Sequence, residues 1–303
     1  MSLALILTIA MILDAALGEP RWLWSRVPHP AVIMGNLIGA ADARFNHGPF
    51  RQIKGAATLA ALVLGAWSAG WLIAQLGGIV TALAAAILLS HRSLVEHVEA
   101  VARSLRQSLP EGRRAVAQIV GRDTAGMDTA DVSRAAIESA AENVSDGVIA
   151  PLFWFLIAGL PGMMVYKMVN TADSMIGYRT PRHEAFGWAA ARLDDLLNLA
   201  PARLTALMIW ALHPPRADWA EIATDAAKHR SPNAGWPEAA MARAIDTALS
   251  GPRSYHGTRE DFPFVHPRGT QDAGPTQIFA ATSVLWRLWA GVLAAVLILA
   301  MLF

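Results

Sequence analysis

Long uncharged stretches alternate with polar stretches along the chain. Residues 55–90 contain no Asp, Glu, Lys or Arg, and these 36 residues exceed the roughly 20 that one membrane span needs. Gly77-Gly78 interrupts the stretch, which predicts either a helical hairpin of residues 56–76 and 79–90 or a single tilted span with interfacial ends. We favour the hairpin, whose second arm would continue into a polar helix.

A second uncharged stretch, residues 147–166, contains the helix breakers Pro151, Gly159, Pro161 and Gly162. Irregular backbone at membrane depth is tolerated only where protein or a water-filled cavity satisfies its polar groups. This stretch therefore predicts a broken or re-entrant pair of short helices beside a cavity. The alternative is a buried helical hairpin in a soluble core.

The apolar stretches together define six predicted membrane segments, which are 1–17, 56–76, 79–90, 147–166, 199–212 and 280–303. No positive charge precedes the first of them, so we expect a retained segment rather than a signal peptide. Two polar insertions, 91–146 and 215–272, lie between the segments. The pattern predicts one membrane-embedded domain over 1–303, with an all-α, polytopic integral membrane fold and cytoplasmic helical segments.

The polar insertions contain four predicted helices, at 91–108, 129–143, 216–228 and 236–249. Pro110 and Gly112 are expected to end the first helix, and Asp128 is a candidate N-cap of the second, which Gly147 would stop. No stretch of any length shows the alternation that is typical of strands.

Composition supports a membrane protein and excludes several kinds of site. Apolar residues make up 54% and charged residues 16%, against about 45–50% and about 25% in typical globular domains. The formal net charge of +1 gives no reason to expect a nucleic-acid partner. The absence of cysteine excludes disulfides, thiol nucleophiles and thiolate metal sites. No G-x-x-x-x-G-K-[ST] motif occurs, so an ATP site would not be a P-loop.

Four polar clusters adjoin the apolar segments. They are Arg122-Asp123-Thr124; Glu138, Glu142, Asn143 and Asp146; Lys167, Asn170, Asp173 and Ser174; and Arg192, Asp194, Asp195 and Asn198, followed by Arg203. Ionisable groups at such depth are costly and are usually paired or functional. Carboxylates beside Asn and Ser suit Mg²⁺, and nearby Lys and Arg suit phosphate oxygens. The alternative is that the clusters are internal salt bridges that hold helix ends together.

At these clusters the sequence resembles the adenosylcobinamide-phosphate synthase family, CobD/CbiB. The stretches that carry the resemblance are Arg122-Asp123-Thr124, Glu142–Gly147, Ala150–Phe153, Tyr166-Lys167, Asn170–Tyr178, Ala191–Asp195 and Pro201–Arg203, with Leu13-Asp14, Gly18–Pro20, Pro28–Pro30 and Ser231–Ala240. They follow the family's order over most of the chain, and 142–195 is the most specific part. Glu19, Ala31 and Arg243 depart from the family pattern.

The resemblance implies an ATP-dependent amide ligase that condenses adenosylcobyric acid with aminopropanol phosphate through an acyl phosphate, with Mg²⁺. It implies catalytic roles for five acids, which are Glu142, Asp146, Asp173, Asp194 and Asp195. Three of these, Asp173, Asp194 and Asp195, are the candidate Mg²⁺ ligands. The implied substrate- and phosphate-binding residues are Arg122, Asn143, Lys167, Asn170, Ser174, Tyr178, Arg192, Asn198 and Arg203.

The resemblance also implies a place in the bacterial cytoplasmic membrane, with the active site facing the cytoplasm. Basic residues suit this orientation, with 18–54, 91–146 and 171–198 on the cytoplasmic side. The expected partners are the corrinoid, the amino-alcohol phosphate and membrane lipid. Other membrane enzymes of the cobalamin pathway and a second copy of the chain are compatible partners.

Two other functions fit the same residues. Asn170 with Asp173, and Asp194 with Asp195, suit Mg²⁺–diphosphate binding in an intramembrane prenyl-type transferase, which needs no ATP. A transporter could use the broken segment 147–166 as a substrate path, although the sequence shows no inverted repeat.

Overall fold

The computed structural model describes residues 1–213, 218–255 and 257–302. Within this part of the chain the fold is helical, apart from four strands of two or three residues. Five helical runs are long and apolar enough to cross a membrane, namely Arg51–Ala74, Gly78–Gln107, Thr129–Ile176, Trp188–Leu212 and Pro275–Leu302. The predicted all-α polytopic membrane fold is confirmed.

The chain divides into two compact units, and we describe each by itself. Unit 1 comprises Met1–Ser90, Asp146–Leu199 and Ala295–Phe303, and unit 2 comprises His91–Ser145 and Ala200–Ala294. Both contain parts of helices long enough to cross a membrane. The single membrane-embedded domain therefore stays a prediction.

Unit 1 is built around one long helix. Its helices are α1 (Leu3–Leu17), α2 (Arg21–Trp24), α3 (Pro30–Phe45), α4 (Arg51–Ala74), α5 (Gly78–Leu88), α9 (Ala150–Ile176), and the first part of α10 (Trp188–Leu212). Helices α1, α3, α4 and α5 all pack on α9. The three residues between α4 and α5 confirm the predicted break near Gly77, and α4 packs on α5.

Helix α9 is broken in its middle, as the sequence predicts for residues 147–166. Ala158 and Gly159 leave helical geometry, and Gly159 has φ +62° and ψ −157°. Just beyond the break, Pro161 lies against Gly70 of α4. A Cβ on Gly70 would stand 2.7 Å from the Pro161 Cα, so α4 and α9 meet there backbone to backbone.

Unit 2 combines helices with two small antiparallel strand pairs. It contains α6 (His91–Gln107), α7 (Leu109–Val116), α8 (Thr129–Val144), the second part of α10, α11 (Trp219–Ala226), α12 (Gly235–Ala244), β1 (Leu249–Ser250), β2 (Arg253–Tyr255), β3 (Thr258–Glu260), β4 (Phe264–Val265) and most of α13 (Pro275–Leu302). Strand β1 pairs with β4, and β2 pairs with β3. Helices α6, α7 and α12 and strand β1 pack on α8.

The start of α8 confirms the predicted cap, and its end corrects the predicted stop. The Asp128 side chain accepts a hydrogen bond from the Asp131 N–H. The Asp131 side chain accepts one from the Asp128 N–H, and the two bonds form a capping box. Gly147 does not stop the helix. It lies in a π-helical turn, Ser145–Ile149, that leads into α9.

Three other helix bounds differ from the predictions. Pro110 occupies the first turn of α7 instead of ending α6, because proline fits the first turn of a helix. Helix α10 begins at Trp188 rather than at 199. Its first part contains the charged residues Arg192, Asp194 and Asp195, so it did not stand out as an apolar segment. The C-terminal helix begins at Pro275 rather than at 280.

The predicted helix 236–249 is wrong at its C-terminal end. Helix α12 stops at Ala244, Asp246 adopts φ +48°, and the chain enters β1 at Leu249. Strands of two or three residues thus form here although the sequence shows no strand-like alternation. The predicted helix 216–228 appears as Trp219–Ala226, and its first two residues, like Phe303, lie outside the described residues.

Candidate functional site

In unit 1, one amide links two of the predicted acids. The Asn170 side-chain nitrogen, on α9, donates to the Asp194 Oδ1 at 3.2 Å and to the Asp146 Oδ2 at 3.4 Å. Asp146 comes from the π-helical turn and Asp194 from α10, so the amide connects three segments. The structure therefore brings three of the predicted site residues together.

A second amide completes this group. The Asn198 Nδ2 donates to the Asp194 Oδ2 at 3.0 Å, and the Asn198 Oδ1 accepts a 2.9 Å hydrogen bond from the Tyr166 hydroxyl. Asn198 and Tyr166 are fully buried, and Asp194 is nearly so. We call Asp146, Tyr166, Asn170, Asp194 and Asn198 the carboxylate–amide cluster.

A lysine supplies positive charge beside the cluster. The Lys167 ammonium lies within electrostatic reach of Asp146 and of Glu19. His29 caps α3 by accepting a hydrogen bond from the Ala31 N–H. Its imidazole also interacts electrostatically with Glu19 and Lys167. Burial lowers the pKa of His29, which leaves its imidazole neutral at pH 7. The site thus combines carboxylates, a cation and a neutral imidazole.

Other predicted residues of unit 1 have different surroundings. Asp195 forms a 3.5 Å ion pair with Arg192, one turn away on α10. Ser174 is exposed and its hydroxyl donates to the Asn170 carbonyl oxygen, and Tyr178 is also exposed. Asp173 is half-buried and lies one turn after Asn170. Asp194 therefore belongs to the cluster, whereas its neighbour Asp195 forms an ion pair with Arg192.

The carboxylates of the cluster suit an Mg²⁺ ion that is also bound by water and by substrate phosphates. Among the described residues no group of three His, Asp or Glu side chains converges to hold a metal. Mg²⁺ in phosphate chemistry needs only one or two carboxylates, because water and substrate phosphates complete its coordination. Asp146 and Asp194 fit that requirement, and ligation by Asp173, Asp194 and Asp195 stays a prediction.

Unit 2 contains a second polar group, in which arginines surround a glutamate. Glu138 of α8 pairs with Arg122 at 2.7 Å and with Arg253 at 3.4 Å. Its other oxygen accepts from the Ser250 N–H at 2.8 Å. Glu138, Arg122 and Arg253 line a cavity of about 380 Å³ together with Arg134. We call Arg122, Glu138 and Arg253 the arginine–glutamate network.

A buried acid and a histidine stand beside this network. Burial, reinforced by the charge of Glu138, raises the pKa of Glu238 well above its usual range. Burial also lowers the pKa of His229, and the charge of Arg253 adds to the effect. Burial therefore opposes the charged form of both side chains, which lie 3.9 Å from each other.

The remaining predicted residues belong to unit 2. Glu142 and Asn143 are exposed on α8, where the Asn143 amide donates to the Ser139 carbonyl oxygen at 2.8 Å. Arg203 donates to the Asn233 side chain at 3.3 Å and lies 4.9 Å from the centre of the Trp236 ring. Arg203 thus contacts the 231–240 stretch that carried part of the resemblance.

Three contacting residues escaped the sequence argument. Tyr166 stood next to Lys167 in a quoted stretch but received no role. Arg253 and Ser250 lie more than 110 positions from Glu138, in a segment without helical periodicity. Arg253 is the first residue of β2, and its sequence context gave no signal that would separate it from a solvated surface charge.

Comparison with known proteins gives a family match over nearly the whole chain. The sequence model of one family, described as CobD/Cbib protein, matches residues 7–285. The chain is 46% identical over 301 residues to cobalamin biosynthesis protein CobD of Rhizobium meliloti, covering 93% of this chain and 92% of the relative. It is 44% identical over 316 residues to the protein of the same name from Rhodobacter capsulatus, covering 100% and 99%.

A third relative, from Brucella suis and also named cobalamin biosynthesis protein CobD, is 42% identical over 301 residues, with 93% and 92% covered. No solved structure matches the chain. A family match over nearly the whole chain and relatives of this identity place the protein in cobalamin biosynthesis. The chain belongs to the CobD/CbiB family.

Proposed function

We propose that the protein is an ATP-dependent amide ligase that joins adenosylcobyric acid to aminopropanol phosphate, and that the carboxylate–amide cluster is its reaction centre. The observation that carries the proposal is the hydrogen-bonded set of Asp146, Asn170 and Asp194, with Lys167 beside it. Its place in the CobD/CbiB family supports a corrinoid substrate.

The reaction needs activation of a poor acylating agent. Transfer of the γ-phosphoryl group from ATP to the corrinoid carboxylate breaks the β,γ P–O bond and forms an acyl phosphate. Negative charge on the transferring oxygens is stabilised by fixed cations, and Lys167 is the cation placed for this. Mg²⁺ would add charge neutralisation, and Asp194 is the carboxylate that would hold it.

The second step forms the amide. The amine attacks the acyl carbonyl, the C–N bond forms, and inorganic phosphate leaves. The proton that the nitrogen loses needs an acceptor within hydrogen-bond reach. Asp146, which is more exposed than Asp194, is suited to that role. Asn170 and Asn198 would keep both carboxylates oriented.

The membrane location fits a large amphipathic substrate. Much of α4 exposes apolar side chains, among them Leu64, Trp67 and Leu72. We propose that the protein lies in the bacterial cytoplasmic membrane with this site facing the cytoplasm, where ATP is available. Association with other membrane enzymes of the pathway or with a second copy is compatible with this placement.

The test is an assay on purified protein in detergent, with adenosylcobyric acid, (R)-1-amino-2-propanol phosphate, Mg²⁺ and ATP, followed by mass spectrometry of the corrinoid. We expect an ATP-dependent mass gain that matches the amide. Asp146→Asn, which removes the proposed proton acceptor, should lower the rate by about 10²–10⁴-fold, and Glu96→Gln, which changes an exposed carboxylate on α6, should not.

Two results would contradict the proposal. A folded protein that forms no amide with ATP would remove the ligase assignment. ATP-independent turnover of a prenyl diphosphate would instead support the transferase that uses Asn170 with Asp173 and Asp194 with Asp195.

A further inference from the structure

Unit 2 contains a small cavity whose charged wall residues are all basic. The cavity has a volume of about 130 Å³ and is lined by Lys228, His229, Arg230, Ser250, Arg253, Phe262, Pro263 and Val265. Among these residues three carry a permanent positive charge and none is acidic. Drug-sized ligands occupy about 300–1,000 Å³, so the space suits a small anionic group or one end of a larger ligand.

The basic side chains are held in place from outside the cavity. Lys228 donates to the Asp225 Oδ1 at 2.5 Å, Arg230 pairs with Glu260, and Arg253 pairs with Glu138 at 3.4 Å. None of the three acids lines the cavity. The ion pairs therefore fix the cations while leaving the cavity wall positive.

An aromatic ring brings two of these cations together. The Arg230 and Arg253 guanidinium carbons lie 4.5 Å and 4.8 Å from the centre of the Phe262 ring. Stacking on the ring compensates part of the cost of placing two like charges on one group. Glu260 and Glu138 offset these charges further. A guanidinium group has five N–H donors, so one that keeps such an ion pair can still donate to phosphate oxygens.

We propose that this cavity, formed by Lys228, Arg230, Arg253 and Phe262, is a phosphate-binding pocket separate from the carboxylate–amide cluster. Its ligand is the phosphate group of a small phosphomonoester or of a nucleotide. Assigning that phosphate to a substrate of the ligase rests on the proposed function, whereas the pocket itself does not.

The neighbouring space favours a phosphate attached to a polar body. Ser250 and Arg253 also line the cavity of about 380 Å³ described above, so the two spaces share a wall. The larger cavity carries both signs of charge, because its lining includes the acids Asp123, Asp128, Asp131 and Glu138 and the arginines Arg122, Arg134 and Arg253. A ligand with its phosphate in the small basic cavity and an amine or sugar in the larger one fits this arrangement.

The experiment measures binding by calorimetry on the full chain in detergent. The probes are inorganic pyrophosphate, (R)-1-amino-2-propanol phosphate and a non-hydrolysable ATP analogue, and 1-amino-2-propanol without phosphate serves as the ligand control. The variant is Arg230→Gln, whose side chain is 71% exposed and pairs with Glu260. The matched control is Arg268→Gln, which is 77% exposed, pairs with Glu221 and lies outside this pocket.

We expect Arg230→Gln to weaken pyrophosphate binding about tenfold, as for one lost charge-assisted hydrogen bond, and Arg268→Gln to leave it unchanged. Parallel weakening of the amino-alcohol phosphate identifies a phosphomonoester as the natural ligand, and parallel weakening of the ATP analogue identifies a nucleotide. Equal affinities in wild type and Arg230→Gln, or no binding of any phosphate, would overturn the pocket. Phosphate binding that depends on Arg230 without amide formation would keep the pocket and reject the ligase.

Discussion

The two polar groups of this protein satisfy their buried carboxylates in opposite ways. In unit 1, Asp194 accepts from two neutral amides, those of Asn170 and Asn198. In unit 2, Glu138 accepts a hydrogen bond from the Arg122 guanidinium and forms an ion pair with the Arg253 guanidinium. Amide donors orient a carboxylate without neutralising it, and guanidinium groups cancel its charge. This difference is why we propose that the carboxylate–amide cluster carries the chemistry, whereas the arginine–glutamate network stabilises unit 2.

The comparison predicts its largest effect at Lys167. Replacement by Met keeps most of the apolar length of the side chain and removes the cation beside Asp146 and Glu19. We expect Lys167→Met to lower kcat/KM for amide formation by about 10²–10³-fold with little change in the unfolding midpoint. The measurement is steady-state kinetics together with thermal unfolding in detergent.

A lysine away from the cluster is the control for that change. Lys54, whose ammonium donates to the His47 carbonyl oxygen, should tolerate replacement by Met with its activity retained. Full activity in Lys167→Met would show that the lysine takes no part in the reaction. It would also contradict the placement of the chemistry at the carboxylate–amide cluster rather than at the arginine–glutamate network.

The next effect concerns stability rather than rate. Glu138→Gln leaves two arginines without their shared buried acid, and breaking a buried pair costs about 3–5 kcal/mol. We expect the free energy of unfolding of the detergent-solubilised protein to fall by about that amount. Glu96→Gln, at an exposed ion pair, should cost less than about 1 kcal/mol. Similar losses in both variants would mean that the network contributes no special stability.

A smaller loss is expected where α4 meets α9. Gly70→Ala puts a Cβ 2.7 Å from the Pro161 Cα, and overpacking of this kind costs about 1–3 kcal/mol. Gly65→Ala is the matched control, because nothing lies within 4 Å of its added Cβ. Equal unfolding midpoints for the two variants would show that the backbones can separate without cost.

The smallest effect is a pH dependence in unit 2. Burial opposes ionisation of Asp225, but hydrogen bonds from Lys228, the His266 N–H and Arg243 outweigh it and lower the pKa of this carboxyl. A lowered pKa contributes stability that is present above the unfolded value of about 3.9 and is lost as pH falls through the folded value. The unfolding midpoint should therefore drop less steeply below about pH 4 in Asp225→Asn than in wild type. Parallel curves would contradict this role.

Local signals in the sequence were sufficient for much of the fold. The uncharged stretch with Gly77-Gly78 gave two helices, and Asp128 with Asp131 gave the capping box. Local signals failed at Gly147, because this glycine lies in a π-helical turn through which the helical conformation continues into α9. They failed again beyond Ala244, where pairing of β1 with β4 outweighs local helix preference.

The candidate site was predictable only in part, for a related reason. Asp146, Asn170 and Asp194 were identified because each occupies a polar position beside an apolar stretch. Nothing local distinguished Asp194 from Asp195, since which neighbour faces inward depends on how α10 packs. The pairing of Glu138 with Arg253 depends on contacts between distant segments, and it became visible only in the folded chain.

The break in α9 also sets a limit on how this lineage can vary. Gly159 adopts φ +62° and ψ −157°, a combination that almost only glycine enters without strain. In a saturation library selected for cobalamin-dependent growth, position 159 should stay glycine, whereas position 65, with open space around it, should drift. Selection would then preserve a backbone conformation at position 159 and leave the side chain at position 65 free to change.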